Sequence, residues 1–94
     1  MPMDEVLSGE AVRVALGDFI VRNFLFGDSS RRPDDRASLV ESGVIDSTGV
    51  LELIEFVEDS FGVHVEESET TPQNFDTIAG IVSFVRRKSG GRAE

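Results

Sequence analysis

The sequence predicts an all-α fold: a small four-helix bundle of three main helices and one short one, with a long loop between helices one and two. Three observations predict it. Apolar residues recur at helical spacing in three separate stretches, a threonine–proline pair opens a fourth and shorter one, and no two alternating segments are long enough for a credible hairpin. The 94 residues suit a single domain, 1–94, with flexible ends expected at 1–7 and 89–94.

Helix one is expected over residues 10–25, where Val12, Leu16, Phe19 and Ile20 make the apolar stripe, Ser8 is the candidate N-cap and Gly27 the stop. Residues 28–46 then carry Pro33, Gly43 and many turn formers. A connection of that length is uncommon in a small domain and tends to serve function. Leu39, Val44 and Ile45 are its candidates for pinning to the core, with a short strand or helical turn near 37–41. Arg31, Arg32 and Arg36 also lie here, and spacing alone assigns them no role.

Helix two, residues 47–61, is the clearest element. Val50, Leu53, Ile54, Val57 and Phe61 form its stripe, Leu51 and Phe56 widen it, and Gly62 ends it. Glu52, Glu55, Glu58 and Asp59 fall off the stripe and should face solvent. Val63 and Val65 alternate over too short a run for a sheet. "TPQNF" reads as one helical turn, with Thr71 as N-cap, Pro72 at the first position and Phe75 pointing inward. Asp76 is then expected to cap a last helix whose stripe is Ile78, Ile81, Val82 and Val85 and whose last turn holds Arg86, Arg87 and Lys88.

The net charge is −9, which disfavours nucleic acid as a partner and favours basic protein surfaces. The charge is unevenly placed: between Glu41 and Asp76 there are ten acids and no lysine or arginine. Such a one-sign tract suits electrostatic steering. No apolar run approaches the roughly 20 residues a membrane span needs, and the acidic start is unlike a secretory signal, so a cytoplasmic monomer is the expectation.

Few catalytic chemistries are open to this composition. The absence of cysteine excludes disulfides, thiolate metal sites and a cysteine nucleophile. The single histidine, His64, has no ligand cluster beside it and is expected to be structural or at the surface. No phosphate-binding glycine loop is present, and solvated carboxylates make poor general acids at neutral pH. One serine stands apart. In "GVIDSTG", residues 43–49, Asp46 can cap helix two alone, which leaves Ser47 as the first helical residue with a free hydroxyl. Unpaired N–H groups and the positive end of the helix dipole favour an anion there, so a serine bearing a phosphate ester is a candidate.

From about Ala37 to Val85 the chain resembles the acyl carrier protein superfamily, which includes peptidyl and D-alanyl carrier proteins. "ASLVESGVIDSTGVLELIEFVEDSFGVHV" and "TPQNFDTIAGIVSFV" carry the resemblance. Asp46 and Ser47 match the first two positions of the family's Asp-Ser-Leu attachment motif, and Glu52, Glu58, Asp59, Phe61 and Gly62 match the acidic helix that follows.

The resemblance implies a four-helix carrier rather than an enzyme. Ser47 would bear 4′-phosphopantetheine, installed from coenzyme A by a phosphopantetheinyl transferase, with Asp46 and Thr48 flanking it. The reactive thiol would thus arrive with the prosthetic group, in keeping with a chain that has no cysteine. Partners would be an acyl- or aminoacyl-activating ligase, a ketosynthase or an acyltransferase, each with a basic patch for Glu52, Glu55, Glu58 and Asp59. Val50, Leu53, Ile54, Val57, Val65 and Ile78 would line any internal seat for cargo, although plain packing is their expected role. Thr48 stands where the family usually has leucine, and Glu55 where an apolar contact residue is common. Both point to a specialised pathway of fatty-acid or polyketide type, with aminoacyl, peptidyl or D-alanyl cargo as the alternative. An acidic helical adaptor never modified at Ser47 is the competing reading.

Overall fold

The computed structural model describes residues 8–90. Within them the chain forms α1 (Gly9–Phe24), α2 (Ser47–Phe61), the single turn α3 (Pro72–Phe75) and α4 (Ile78–Gly90), with short 3₁₀ turns at Ser29–Arg31 and Glu67–Glu69 and no strand. The all-α bundle of three main helices and one short helix is as the sequence predicts. Residues 1–7 and 91–94, where flexible ends were expected, lie outside the described residues. α4 runs through Gly90, and the Ser89 hydroxyl donates to the Val85 carbonyl at 2.8 Å.

Ser8 caps α1 through its hydroxyl, which accepts the Ala11 N–H at 3.1 Å. The helix closes as the Gly27 N–H reaches back to the Val21 carbonyl at 2.9 Å. This turn holds Phe26 at φ 57°, with its ring 95% exposed. The long connection that follows is well tied down. Leu39 and Ile45 are buried, and Ser42 donates to the Ser38 carbonyl in one helical turn, resolving the strand-or-turn choice at 37–41 in favour of the turn. Arg32 lies against the backbone of α1, its guanidinium filling the space a side chain at Gly17 would take, while pairing with Asp35 at 3.5 Å. The Asp35 carbonyl in turn accepts the Ala79 N–H at 2.8 Å, which fastens the loop to the start of α4.

The core lies between α1, α2 and α4. Leu16, Ile20, Leu53, Val57, Ile78, Ile81, Phe84 and Val85 are fully buried. Burial of each such side chain stabilises by about 1.5–3 kcal/mol. Phe75 enters from α3 and meets Phe84 with ring centroids 5.2 Å apart. Phe56 stacks on Phe19 at 4.2 Å and ties the flank of α2 to α1. Among the described residues no polar side chain is buried.

The cap of α4 differs from expectation. Thr77, not Asp76, caps it, with its hydroxyl accepting the Gly80 N–H at 2.9 Å. Asp76 is instead the C-cap of α3, the residue just past its turn, and its acceptors face the long loop. Its carbonyl takes the Leu39 N–H at 2.7 Å and its carboxylate the Val40 N–H at 3.1 Å. The local pattern Asp-Thr-Ile gives two possible caps, and the long-range need of the loop's N–H groups claims the aspartate.

Candidate functional site

The N-terminal end of α2 is built by Asp46. Its extended backbone precedes the helix, its Oδ1 accepts the Gly49 N–H at 2.8 Å, and its carbonyl accepts the Val50 N–H at 3.0 Å. With the cap supplied there, Ser47 is the first helical residue. Its side chain is exposed, as is that of Thr48, and the Ser47 hydroxyl bonds to none of the described residues. Gly49, one step further on, is buried. A Cβ at this position would come within 2.9 Å of both Ile45 Cγ2 and Phe24 Cε1. Glycine therefore lets the end of α1 and the last loop residues close up against the first turn of α2 and hold it in place.

Two depressions flank this turn. On one side an apolar groove of about 340 Å³ is lined by Val40, Val50, Pro72 and Phe75, with Thr71 and Asp76 among its polar members. On the other, a polar cleft of about 350 Å³ lies between the end of α1 and the start of α2, with Asn23, Phe24, Asp46, Thr48 and Glu52 among its lining. Of the residues named as possible cargo lining, only Val50 reaches the groove. Leu53, Val57, Val65 and Ile78 are core residues and Ile54 is half-buried, which is the packing role expected of them.

The acidic residues do not act alike. Glu52, Glu55 and Asp59 are exposed and take part in no ion pair among the described residues. Glu58 is partly covered and serves the fold: its carboxylate accepts the Val65 N–H at 2.9 Å. The cause lies in Gly62, whose φ of 69° reverses the chain and returns residue 65 to the last turn of α2. His64 is exposed beside Glu58 and Glu66, at 3.7 and 3.4 Å. It stands past the C-terminal end of α2, roughly 20 Å of helix away from Ser47, too far to act on that hydroxyl.

Sequence reasoning missed Leu51. It lies one turn beyond Ser47 on the same helical face and is 64% exposed. The signal was present in its i+4 spacing from Ser47, but the breadth of the apolar stripe suggested packing instead.

Among the described residues no helix is long and apolar enough to cross a membrane, and no group of three or more histidine or carboxylate side chains could hold a metal ion. No family model matches the chain. A probable acyl carrier protein, PigG of Serratia sp. (strain ATCC 39006), is 29% identical over 68 residues, spanning 72% of this chain and 77% of that protein. The likeness is to a carrier and not to an enzyme. In sequence over most of its length, and in its all-helical fold, this chain is similar to the acyl carrier protein superfamily.

Proposed function

We propose that the chain is an acyl carrier protein that bears 4′-phosphopantetheine on Ser47 and presents acyl or aminoacyl groups to partner enzymes. The observation that carries this reading is the division of labour at α2: Asp46 satisfies the helix end, and Ser47 stands exposed on its first turn with its hydroxyl unengaged. The site fits the group. The Ser47 oxygen is open to a transferase, and the first turn of the helix favours a phosphodiester beside it. Gly49 lets Phe24 and Ile45 close against that turn and seat it on the rest of the bundle. The prosthetic group, once attached, supplies the thiol that holds cargo as a thioester.

Partner recognition falls to the outer face of α2. Glu52, Glu55 and Asp59 offer carboxylates to a basic patch, and Leu51 offers an apolar contact beside Ser47. Exposed charges of this kind raise association rates more than they tighten complexes, which suits a carrier that must leave one enzyme for the next. Phosphopantetheinyl transferase, an activating ligase, and a ketosynthase or acyltransferase are the partner classes, met by a monomer in the cytoplasm. Thr48 and Glu55 make this face more polar than an apolar docking surface would be, and support a dedicated pathway over general fatty-acid synthesis.

Intact mass after co-expression with a broad-specificity phosphopantetheinyl transferase tests the reading. One added phosphopantetheine on the parent chain and none on Ser47→Ala is expected. An unmodified parent chain, or a variant that still gains the group, overturns it and leaves the unmodified adaptor.

A further inference from the structure

We infer that the polar cleft between α1 and α2 is the seat of the unloaded pantetheine arm. This rests on the reading of Ser47 as its attachment point. The cleft begins at Asp46 and Thr48, the two neighbours of Ser47, and extends to Asn23 at the end of α1. Its chemistry is one-sided. The Asn23 side-chain N–H₂ gives one hydrogen to the Phe19 carbonyl at 2.9 Å, which fixes the amide and leaves its carbonyl oxygen and one N–H for the cleft. Asp46 has one oxygen on the Gly49 N–H and a second to offer. Glu52 adds a carboxylate, and Thr48 a hydroxyl.

An acceptor-rich cleft of this kind repels anions and suits a neutral chain that carries N–H and O–H donors. Pantetheine is such a chain, with two amide N–H groups, a hydroxyl and a geminal pair of methyls. Phe24 supplies the apolar wall for those methyls. The phosphodiester stays outside, at the head of α2, where the unpaired N–H groups lie. The groove on the opposite side, with Val40, Val50 and Phe75 in its lining, offers mainly apolar contact, and three of its polar side chains are already engaged: Asp76 by the Val40 N–H, Ser38 by the Glu41 N–H and Thr70 with the Glu67 carbonyl. Thr48 thereby gains a role. A leucine here would put an apolar side chain into the cleft in place of a hydroxyl.

The test compares ¹⁵N-labelled unmodified and modified protein, with the added mass confirmed first. The reporter is Asn23, 24 residues before Ser47 in the chain and so blind to mere proximity along it. Shifts at the Asn23 backbone and side-chain amides are expected on modification, with cross-peaks between the arm's methyls and the Phe24 ring. In modified Thr48→Leu, Asn23 should return to its position in the unmodified protein. Failure to gain the mass overturns the attachment reading itself. Full modification with shifts confined to residues 46–48, or with shifts at Val40, Thr71 and Phe75 instead, overturns the cleft as the seat.

Discussion

Helices α4 and α2 are similar in length, 13 and 15 residues, yet they are held by opposite means. Ile78, Ile81, Phe84 and Val85 of α4 are fully buried, whereas α2 commits only Leu53 and Val57 to the same degree. The rest of α2 is half-covered or open: Phe56 leans on α1, and Leu51, Glu52, Glu55 and Asp59 face solvent. The first helix works as a wall and the second as a display. A helix anchored on one narrow stripe can vary its remaining faces at small cost in stability, and here those faces surround Ser47.

Substitution should separate the two sharply. Phe84→Ala removes a fully buried ring that also meets Phe75, and should cost about 3–5 kcal/mol in urea denaturation, much of what holds together a domain of this size. Leu51→Ser, at an apolar position of α2, should stay within about 0.5 kcal/mol of the parent. A large loss for Leu51→Ser would mean that α2 is packed on its outer face after all, and the contrast would fail.

Next in size is Gly49→Ala, aimed at the one point where the display helix is pressed hard against its support. Alanine gains about 1 kcal/mol of helix propensity over glycine. Against this, its Cβ meets Ile45 and Phe24 at 2.9 Å, and overpacking costs roughly 1–3 kcal/mol. A net loss of about 1 kcal/mol is expected. A net gain would show that the Phe24 ring swings aside freely and is not a fixed wall of the neighbouring cleft.

The same contrast explains what was legible in the sequence. Periodicity found the three main helices, because burial on one stripe leaves a 3.6-residue signature whatever lies on the other faces, and the Thr71–Pro72 pair marked the short one. Asp46 and Ser47 were also legible, since capping is a local matter settled within three residues. What lay hidden depended on contacts distant in sequence. Asp76 reads as a cap until the N–H groups of Leu39 and Val40 arrive to claim its oxygens. Glu58 reads as surface charge until Gly62 folds Val65 back onto it. The groove and the cleft are also invisible beforehand, because each is lined from three segments of the chain. Leu51 was misjudged for a different reason: an apolar residue at the edge of a stripe looks the same whether it packs on the bundle or waits for a partner.

Smaller still, and of opposite sign, is the effect expected at Phe26. It closes α1 in a left-handed conformation that costs an ordinary residue about 1–2 kcal/mol, and its exposed ring recovers nothing by packing. Phe26→Gly removes that strain and adds about 0.5–1 kcal/mol of chain entropy to the unfolded state. The net should be a stabilisation of roughly 0.5 kcal/mol, seen as a rise of a few degrees in Tm. Destabilisation would reveal that the ring has a partner within the domain, which would enlarge the wall at the expense of the exposed surface.

The finest distinction concerns the segment that joins the two helices. Glu69 lies after α2, but its bonds run towards α4. The Glu66 N–H and then the Lys88 ammonium, at 2.9 and 3.0 Å, hold its carboxyl below the ordinary value of 4.5. A carboxyl with a depressed folded-state pKa lends stability that is fully present above its ordinary range and is lost as pH falls through the depressed value. Glu69→Gln keeps an acceptor for the Glu66 N–H and removes only the charge facing Lys88. Parent and variant should therefore differ by a small constant amount near neutral pH, converge as pH falls past the ordinary carboxyl range and the parent's carboxyl takes up its proton, and differ less in high salt, since the pair is solvent-accessible. A difference that persists unchanged into acid would mean that the ion pair contributes nothing. The connecting segment would then be held here by the Asn74 bond to the Glu69 carbonyl, which ties it to α3 and not to α4, and the wall would owe nothing to charge.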